Sequence, residues 1–300
     1  MSKRYLANNE SLIKKALYLR LLAEDIAEGM KSGNFSSLYR GQGIEFAGVR
    51  DYNRGDDIRT IDWNVTARMG RPYIKIFEEE RELQIFLIVD SSRSMQLENS
   101  SDRRTKYAAA AETAALVAIA AELNACPAGA VFFDGAIHFS CEPSLGKENT
   151  MQLLNHLDRL PDSPTVGSVL PNAITAAAKV LRKRSLVFIL SDFRSGGWEK
   201  PLISLAQKND VIAINLHDAS DEELPSLGTV NFMDAESGLK MALPSSSPAF
   251  KKEWRNYNEM NQNRWQDFCI KHGAMPVILD TKTEPVQVLN QIFSRKARLR

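Results

Sequence analysis

Asp90, Ser92 and Ser94 stand at alternate positions in Asp90-Ser91-Ser92-Arg93-Ser94, directly after the apolar run Leu83-Gln84-Ile85-Phe86-Leu87-Ile88-Val89. The run reads as a buried strand, and the side chains that follow it bring one carboxylate and two hydroxyls to its end. Oxygen donors gathered at one spot suit a hard, octahedral cation such as Mg²⁺. A single carboxylate leaves a divalent ion under-neutralised, so a second acid is expected nearby. Asp192 ends a similar run, Leu186-Val187-Phe188-Ile189-Leu190-Ser191-Asp192. In an open α/β sheet, ligands sit at the carboxyl ends of strands near a reversal of strand order, which places Asp90 and Asp192 in one crevice. Between them, Val166-Gly167-Ser168-Val169-Leu170-Pro171 reads as a glycine turn, a hydroxyl and a helix start. Ser168 is either a helix cap or a third hydroxyl for the ion. The competing reading of Asp90–Ser94 is a polar strand-to-helix turn in which a serine caps the helix. Arg93 reads as a surface residue.

Other chemistries fit less well. A phosphotransferase wants a second aspartate two residues after the first as acid/base, and that position is Ser92. A nucleophile elbow needs GxSxG, whereas Ser168 lies in Gly167-Ser168-Val169-Leu170. The chain has no GxxxxGK[ST] loop for ATP phosphates. Asp56 and Asp57 are adjacent acids, but no apolar strand leads into them. No catalytic residues and no nucleotide site are expected. A Mg²⁺-dependent hydrolase using Asp90 and Asp192, and a scaffold with a vestigial metal site, remain as alternatives.

The elements that must hold these residues follow an α/β pattern. Helical spacing runs from Leu12 to Met30. Short alternating stretches at Ile44–Phe46 and Tyr73–Phe77 suggest strands in a β-rich N-terminal segment. Strand Leu83–Val89 is followed by a small-residue helix at Thr105–Leu123. A hairpin around Asp134-Gly135 joins Ala130–Phe133 to Ala136–Ser140. Helices are expected at Asn149–Leu160, Leu170–Arg184 and Pro201–Lys208, with strands at Leu186–Leu190 and Val211–Leu216. The basic end of Leu170–Arg184 suits a helix dipole. This order predicts a mostly parallel sheet with helices on both faces. A hairpin around Asp234–Gly238, a long helix Pro248–His272, a strand Met275–Leu279 and a helix Pro285–Phe293 complete the chain. Three parts result: residues 1–82, 83–224 and 225–300, the last packed on the second.

Composition narrows the function. With 44% hydrophobic and 25% charged residues, the chain can build a core, so disorder is not the default. A net charge of +1 gives no case for nucleic acid as partner. Cys126, Cys141 and Cys269 are sparse and odd in number, which favours a reducing compartment over disulfides or zinc. The N-terminus has no apolar signal core, and Ala108–Leu123 is too short and too charged to span a bilayer. A soluble, cytoplasmic protein without a membrane span is expected.

Two resemblances sharpen this reading. Asp90-Ser91-Ser92-Arg93-Ser94 resembles the DxSxS metal-ion-dependent adhesion site of von Willebrand factor A domains. Asp192 falls at that family's second aspartate, and Ser168 where the family usually has threonine. The resemblance implies a Rossmann-like A domain. It implies Mg²⁺ or another divalent cation on Ser92 and Ser94, with Asp90 and Asp192 acting directly or through water, and a partner's Asp or Glu at the remaining position. A second series is Gly41–Phe46, Arg50-Asp51-Tyr52, Gly55–Trp63, Ala67-Arg68, Phe77–Arg81, Asp221–Pro225 and Asp234–Gly238. It resembles the bacterial family catalogued as domain of unknown function fifty-eight. That likeness implies a chaperone-like adaptor working with a MoxR-type AAA+ ATPase. In the segment Arg40–Arg81, the residues Arg50, Asp56, Asp57, Arg59, Asp62, Arg68 and Glu80 read as a paired network tying strands to the A-like domain, with a docking face for the ATPase as the sharper alternative. Trp63 is expected to be a buried aromatic whose truncation costs roughly 3–5 kcal/mol.

Overall fold

A computed structural model describes residues 11–13, 15–32, 42–78, 83–97, 104–159, 167–218, 221, 226, 228–233 and 240–294. In chain order its elements are α1 (Ala16–Ser32), β1 (Gln42–Asp51), a 3₁₀ turn (Ile58–Thr60), α2 (Trp63–Met69), β2 (Tyr73–Glu78), β3 (Ile85–Asp90), α3 (Arg93–Gln96), α4 (Lys106–Leu123), β4 (Ala128–Phe133) and β5 (Ile137–Ser144). Then follow α5 (Lys147–Asp158), α6 (Leu170–Val180), β6 (Leu186–Ser191), α7 (Glu199–Ala206), β7 (Asp210–His217), β8 (Thr229–Met233), β9 (Lys240–Pro244), α8 (Pro248–Lys271), β10 (Ala274–Asp280) and α9 (Pro285–Ser294).

The apolar runs β3, β4 and β6 are buried at every residue. Such runs need cover on both faces and therefore sit in the middle of a sheet. The sheet has the order β10-β7-β6-β3-β4-β5, parallel except for β5, which runs antiparallel to β4. The chain leaves β3 toward β4 and β5, then crosses back to lay β6, β7 and β10 on the other side. Strand order thus reverses between β3 and β6, the place where open α/β sheets bind ligands. This is the mostly parallel, Rossmann-like α/β sheet expected from the sequence.

Helix α4 is apolar on all sides and buried along most of its length, as a helix enclosed between two layers must be. Thr105 caps it by accepting from Ala108 N at 3.0 Å. Its alanines let it lie close to the sheet, and α1 and α9 cover its outer side. Those two helices meet where α1 carries Gly29: a Cβ there would stand 2.9 Å from Phe293 Cβ. Gly129 is under a harder constraint, since its Cβ would meet Pro143 N at 2.7 Å and Cys141 O at 2.9 Å, both backbone atoms of the antiparallel edge strand. Gly129→Ala is expected to destabilise by about 1–3 kcal/mol through forced separation of β4 and β5; urea unfolding of the two proteins measures it, and equal midpoints would show that the strands yield freely.

Several expected elements differ in the structure. Helix α6 ends at Val180, short of Arg184, with Leu181 already extended. Arg184 does not serve the helix dipole but clamps Asp210 at the start of β7 with bonds of 3.0 and 2.6 Å. The β-rich N-terminal segment has one two-stranded antiparallel sheet, β1 with β2, among its described residues. Between its strands lies α2, too short at seven residues for periodicity to reveal; Asp62 caps it by accepting from Asn64 N and Val65 N, and Gly70 ends it in the left-handed conformation at φ +70°. The hairpin of β8 and β9 is present, while its turn Asp234–Gly238, the segments Glu79–Arg81 and Glu222–Pro225, and the basic tail 295–300 lie outside the described residues.

The paired network of this segment closes largely on itself. Arg50 grips Asp56 with two bonds of 2.7 and 2.8 Å, and Arg71 stands 3.3 Å from Asp51. Asp57 and Asp62 serve as caps. Trp63 corrects the sequence expectation: it is 68% exposed, in company with Ile58 at 65% and Met69 at 58%. The capped first turn of α2 directs the indole outward, so there is no core for it to fill. Trp63→Ala is therefore expected to move stability by no more than about 0.5 kcal/mol, read as a near-unchanged melting temperature.

Cys126, Cys141 and Cys269 form no disulfide, and burial pushes the thiol of Cys269 up to about 12. Among the described residues no helix is long and apolar enough to cross a membrane.

Candidate metal centre

Parallel pairing of β3 with β6 sets Val89 beside Leu190, so the chain leaves both strands at the same edge. Asp90 is the last residue of β3, and Ser191 and Asp192 follow at the end of β6. Asp90 is buried, its Oδ1 accepting from Ser92 N at 2.9 Å. Its Oδ2 accepts from Ser191 Oγ at 2.7 Å and from Ser168 Oγ at 3.3 Å. The Ser92 and Ser94 hydroxyls are 3.2 Å apart. The structure thus gathers Asp90, Ser92, Ser94 and Ser168 at the reversal point, with Asp192 close enough for its charge to act on Asp90.

Ordinary helix capping does not account for these serines. Ser92 is the residue preceding α3, yet its side chain makes no capping bond. Ser168 precedes α6 by two residues, and the cap position belongs to Val169, whose N–H is held by Asp134 O at 2.8 Å. Gly167 turns at φ +99° to bring Ser168 to Asp90.

Asp192 is 8% exposed. Its Oδ1 accepts from Arg194 N at 3.3 Å, while its Oδ2 has no hydrogen-bond partner and stands 3.7 Å from Arg194 Nε. The next residue, Phe193, takes a left-handed backbone at φ +52°, a costly conformation for a bulky residue. Its N–H is tied to Ser191 Oγ at 3.1 Å, and its ring packs 5.4 Å from Trp198 and 5.2 Å from Trp265. That packing offsets the backbone strain.

Burial, then the charge of Asp192, pushes the Asp90 carboxyl up to about 7, against the opposing hydrogen bonds from Ser191 and Ser92. Two acids facing each other in a low-dielectric crevice favour a cation between them. A buried carboxylate oxygen without a hydrogen-bond partner, and hydroxyls not used as caps, fit a hard divalent ion with oxygen ligands. Among the described residues no group of three or more His, Cys, Asp or Glu is placed to hold a metal; the oxygens gathered here come from two carboxylates and from serine hydroxyls.

Sequence reasoning missed Ser191 and Asp134. Ser191 directly precedes Asp192, but in a strand its side chain points opposite to that of its neighbour, and only the pairing of β6 with β3 shows that it faces Asp90. Asp134 is buried, its Oδ1 accepting from Ala136 N at 2.9 Å and its carbonyl holding the Ser168 turn. Its signal was the hairpin pair Asp134-Gly135. Ser91 does not join the oxygen cluster; its hydroxyl lies 2.8 Å from Phe133 O and 2.9 Å from His138 Nε2.

A family profile described as "Protein of unknown function DUF58" matches residues 48–264. The chain belongs to this family. The DUF58 match takes in α2 with Trp63, the whole oxygen cluster, and α8 as far as Arg264. An uncharacterized protein of Mycobacterium tuberculosis, Rv1480, and one of Mycobacterium bovis, Mb1516, are each 32% identical over 238 residues, covering 79% of this chain and 74% of the relative. Among solved structures, BatB from Bacteroides thetaiotaomicron is 15% identical with a TM-score of 0.47, covering 72% of this chain and 98% of that one. An aerotolerance-related membrane protein from Bacteroides fragilis is 14% identical with a TM-score of 0.44, covering 70% and 98%.

Proposed function

We propose that this protein is a metal-dependent protein-interaction adaptor, with Mg²⁺ or another divalent cation held by Asp90, Ser92, Ser94, Ser168 and Asp192, and with a MoxR-type AAA+ ATPase as its working partner. The single observation that carries the metal reading is the pair of buried carboxylates at adjacent strand ends, one of them with an oxygen that no protein donor satisfies. Bound there, the ion offers an exchangeable position to the Asp or Glu of a client or partner. The chain's own part is to hold the two aspartates apart from water and fix the hydroxyls by the turns at Ser92 and Gly167.

The ATPase partner rests on the family likeness. Within the proposal, Trp63 is the place to probe the docking-face reading of the N-terminal segment, because its large apolar side chain is exposed and fills no core. Isothermal titration of Mg²⁺ into the full chain, followed by capture of a purified MoxR-type ATPase in Mg²⁺ and in EDTA, tests both halves. Expected are a heat of cation uptake and capture reduced by Trp63→Ala. Turnover of phosphate esters that is abolished by Asp90→Ala would replace the adaptor with a hydrolase, and capture indifferent to EDTA would leave the metal site vestigial.

A further inference from the structure

Among the described residues, three buried side-chain atoms find no hydrogen-bond partner: Asp192 Oδ2, Ser195 Oγ and Trp265 Nε1. All three residues line one cavity of about 580 Å³, between the loop after β6, the end of β7 and α8. Buried polar atoms are nearly always paired; Asp192 Oδ2 is assigned to the ion proposed above, and the two that remain, Ser195 Oγ and Trp265 Nε1, point to a ligand in this cavity that partners them. The volume is that of a binding site for a small molecule or a short stretch of chain.

The lining selects the ligand's chemistry. An indole N–H only donates, and a serine hydroxyl both donates and accepts. The ligand must therefore present an acceptor to Trp265, which is 5% exposed, and either kind of group to Ser195. A peptide unit carries one carbonyl and one N–H together. Trp198, Trp254, Trp265 and Phe268 supply aromatic walls for a large side chain. The charged groups cancel: Lys106, Arg194 and Arg264 stand against Asp192, Glu199 and Asp221. A balanced lining gives no preference for a phosphate or another strongly charged group. Asp192 belongs both to this cavity and to the oxygen cluster, so a chain held at one continues into the other.

The geometry points to an extended peptide of the partner whose acidic residue reaches the metal centre and whose flanking residue, aromatic or large and apolar, fills this cavity. Its main-chain carbonyl and N–H meet Trp265 Nε1 and Ser195 Oγ as the loop Phe193–Gly197 settles on it. This rests on the metal-dependent docking proposed above. The test uses the full chain and an immobilised library of capped pentapeptides with a fixed central Asp and varied flanks, in Mg²⁺ and in EDTA. Expected is selection of Trp, Phe, Tyr or Leu at one flank in Mg²⁺. Trp265→Phe and Ser195→Ala should each weaken the selected peptide about fivefold, the size of one hydrogen bond, with Mg²⁺ affinity by calorimetry and melting temperature retained. Binding that needs Asp and Mg²⁺ but ignores the flanks, or is equal in both variants, overturns the cavity proposal and leaves metal docking intact. Equal capture in EDTA overturns metal docking and, with it, the shared peptide.

Discussion

Asp90→Asn should abolish the stabilisation by Mg²⁺ that the proposed site implies, and should raise the melting temperature of the metal-free form at pH 8. The two effects have opposite signs and one cause. With Mg²⁺ at a hundredfold its dissociation constant, binding would stabilise the native state by about 2.7 kcal/mol, or about 4 °C in a chain of this size. The amide removes the charge that the ion needs, and that gain disappears. Without metal, the same carboxyl is a liability: it is buried and faces Asp192. Asparagine keeps the shape and can accept from Ser92 N, while the Ser191 and Ser168 hydroxyls rotate to accept from its amide. The pH dependence has a definite sign. In the folded, metal-free protein Asp90 keeps its proton up to about pH 7, whereas in the unfolded chain it ionises near pH 4. Its raised value contributes stability that is fully present below about pH 4 and lost as pH rises through 7. Asp90→Asn removes that slope. Because the ion displaces the proton, the Mg²⁺-induced shift of the wild type should also shrink below pH 7. Differential scanning fluorimetry from pH 5 to 8.5, with Mg²⁺ and with EDTA, reads all of this; a Mg²⁺ shift that survives in Asp90→Asn removes Asp90 from the site.

Much of this site was legible because strand ends announce themselves. Ile85–Asp90 and Leu186–Asp192 are apolar runs stopped by an acid, and a sheet with one reversal of order has to bring such ends together. The convergence of Ser168 was legible as a hydroxyl between a turn glycine and a helix start, though not its choice of Asp90 over the helix. What stayed hidden depends on pairing across strands. Ser191 looks like one more strand residue until β6 is laid beside β3. Trp63 was misjudged for a related reason: aromatic character predicts burial only where a core is available, and α2 is a capped helix of seven residues at the surface. The cavity beside Asp192 could not be seen at all. Its walls come from the loop after β6, the end of β7 and α8, far apart in the chain, and α8 carries so many polar residues that its spacing suggested little beyond a solvated face.

The floor of that cavity sets the second large effect. Asp221→Ala should destabilise the protein by about 3–5 kcal/mol, the cost of leaving buried charge without its partner. Lys106 Nζ lies 2.8 Å from Asp221 Oδ2, with side chains only 3% and 7% exposed, and Arg194 bonds the other carboxylate oxygen from the rim. Asp218 N donates to Asp221 at 3.0 Å, and Asn258 of α8 donates to the Asp221 carbonyl at 2.8 Å. One acid thus joins the start of α4, the loop after Asp192, the end of β7 and the long helix. Burial pushes the Asp221 carboxyl up, but Lys106, Arg194 and the hydrogen bonds outweigh it and hold the group below the usual carboxylate range. A depressed value contributes stability that is present above about pH 4 and lost as pH falls through the folded-state value. The wild type should therefore lose stability in acid more steeply than Asp221→Asn. Lys106→Met should be costly alone, because it leaves Asp221 and Arg194 to share a half-dismantled cluster, and Lys106→Met with Asp221→Leu should recover most of the loss, since a buried pair replaced by apolar groups is often neutral. Urea unfolding of the wild type, Lys106→Met, Asp221→Leu and the double variant forms the double-mutant cycle. If the two single losses simply add in the double variant, the lysine and the aspartate do not hold each other, and the cavity floor is kept in place by something other than this ion pair.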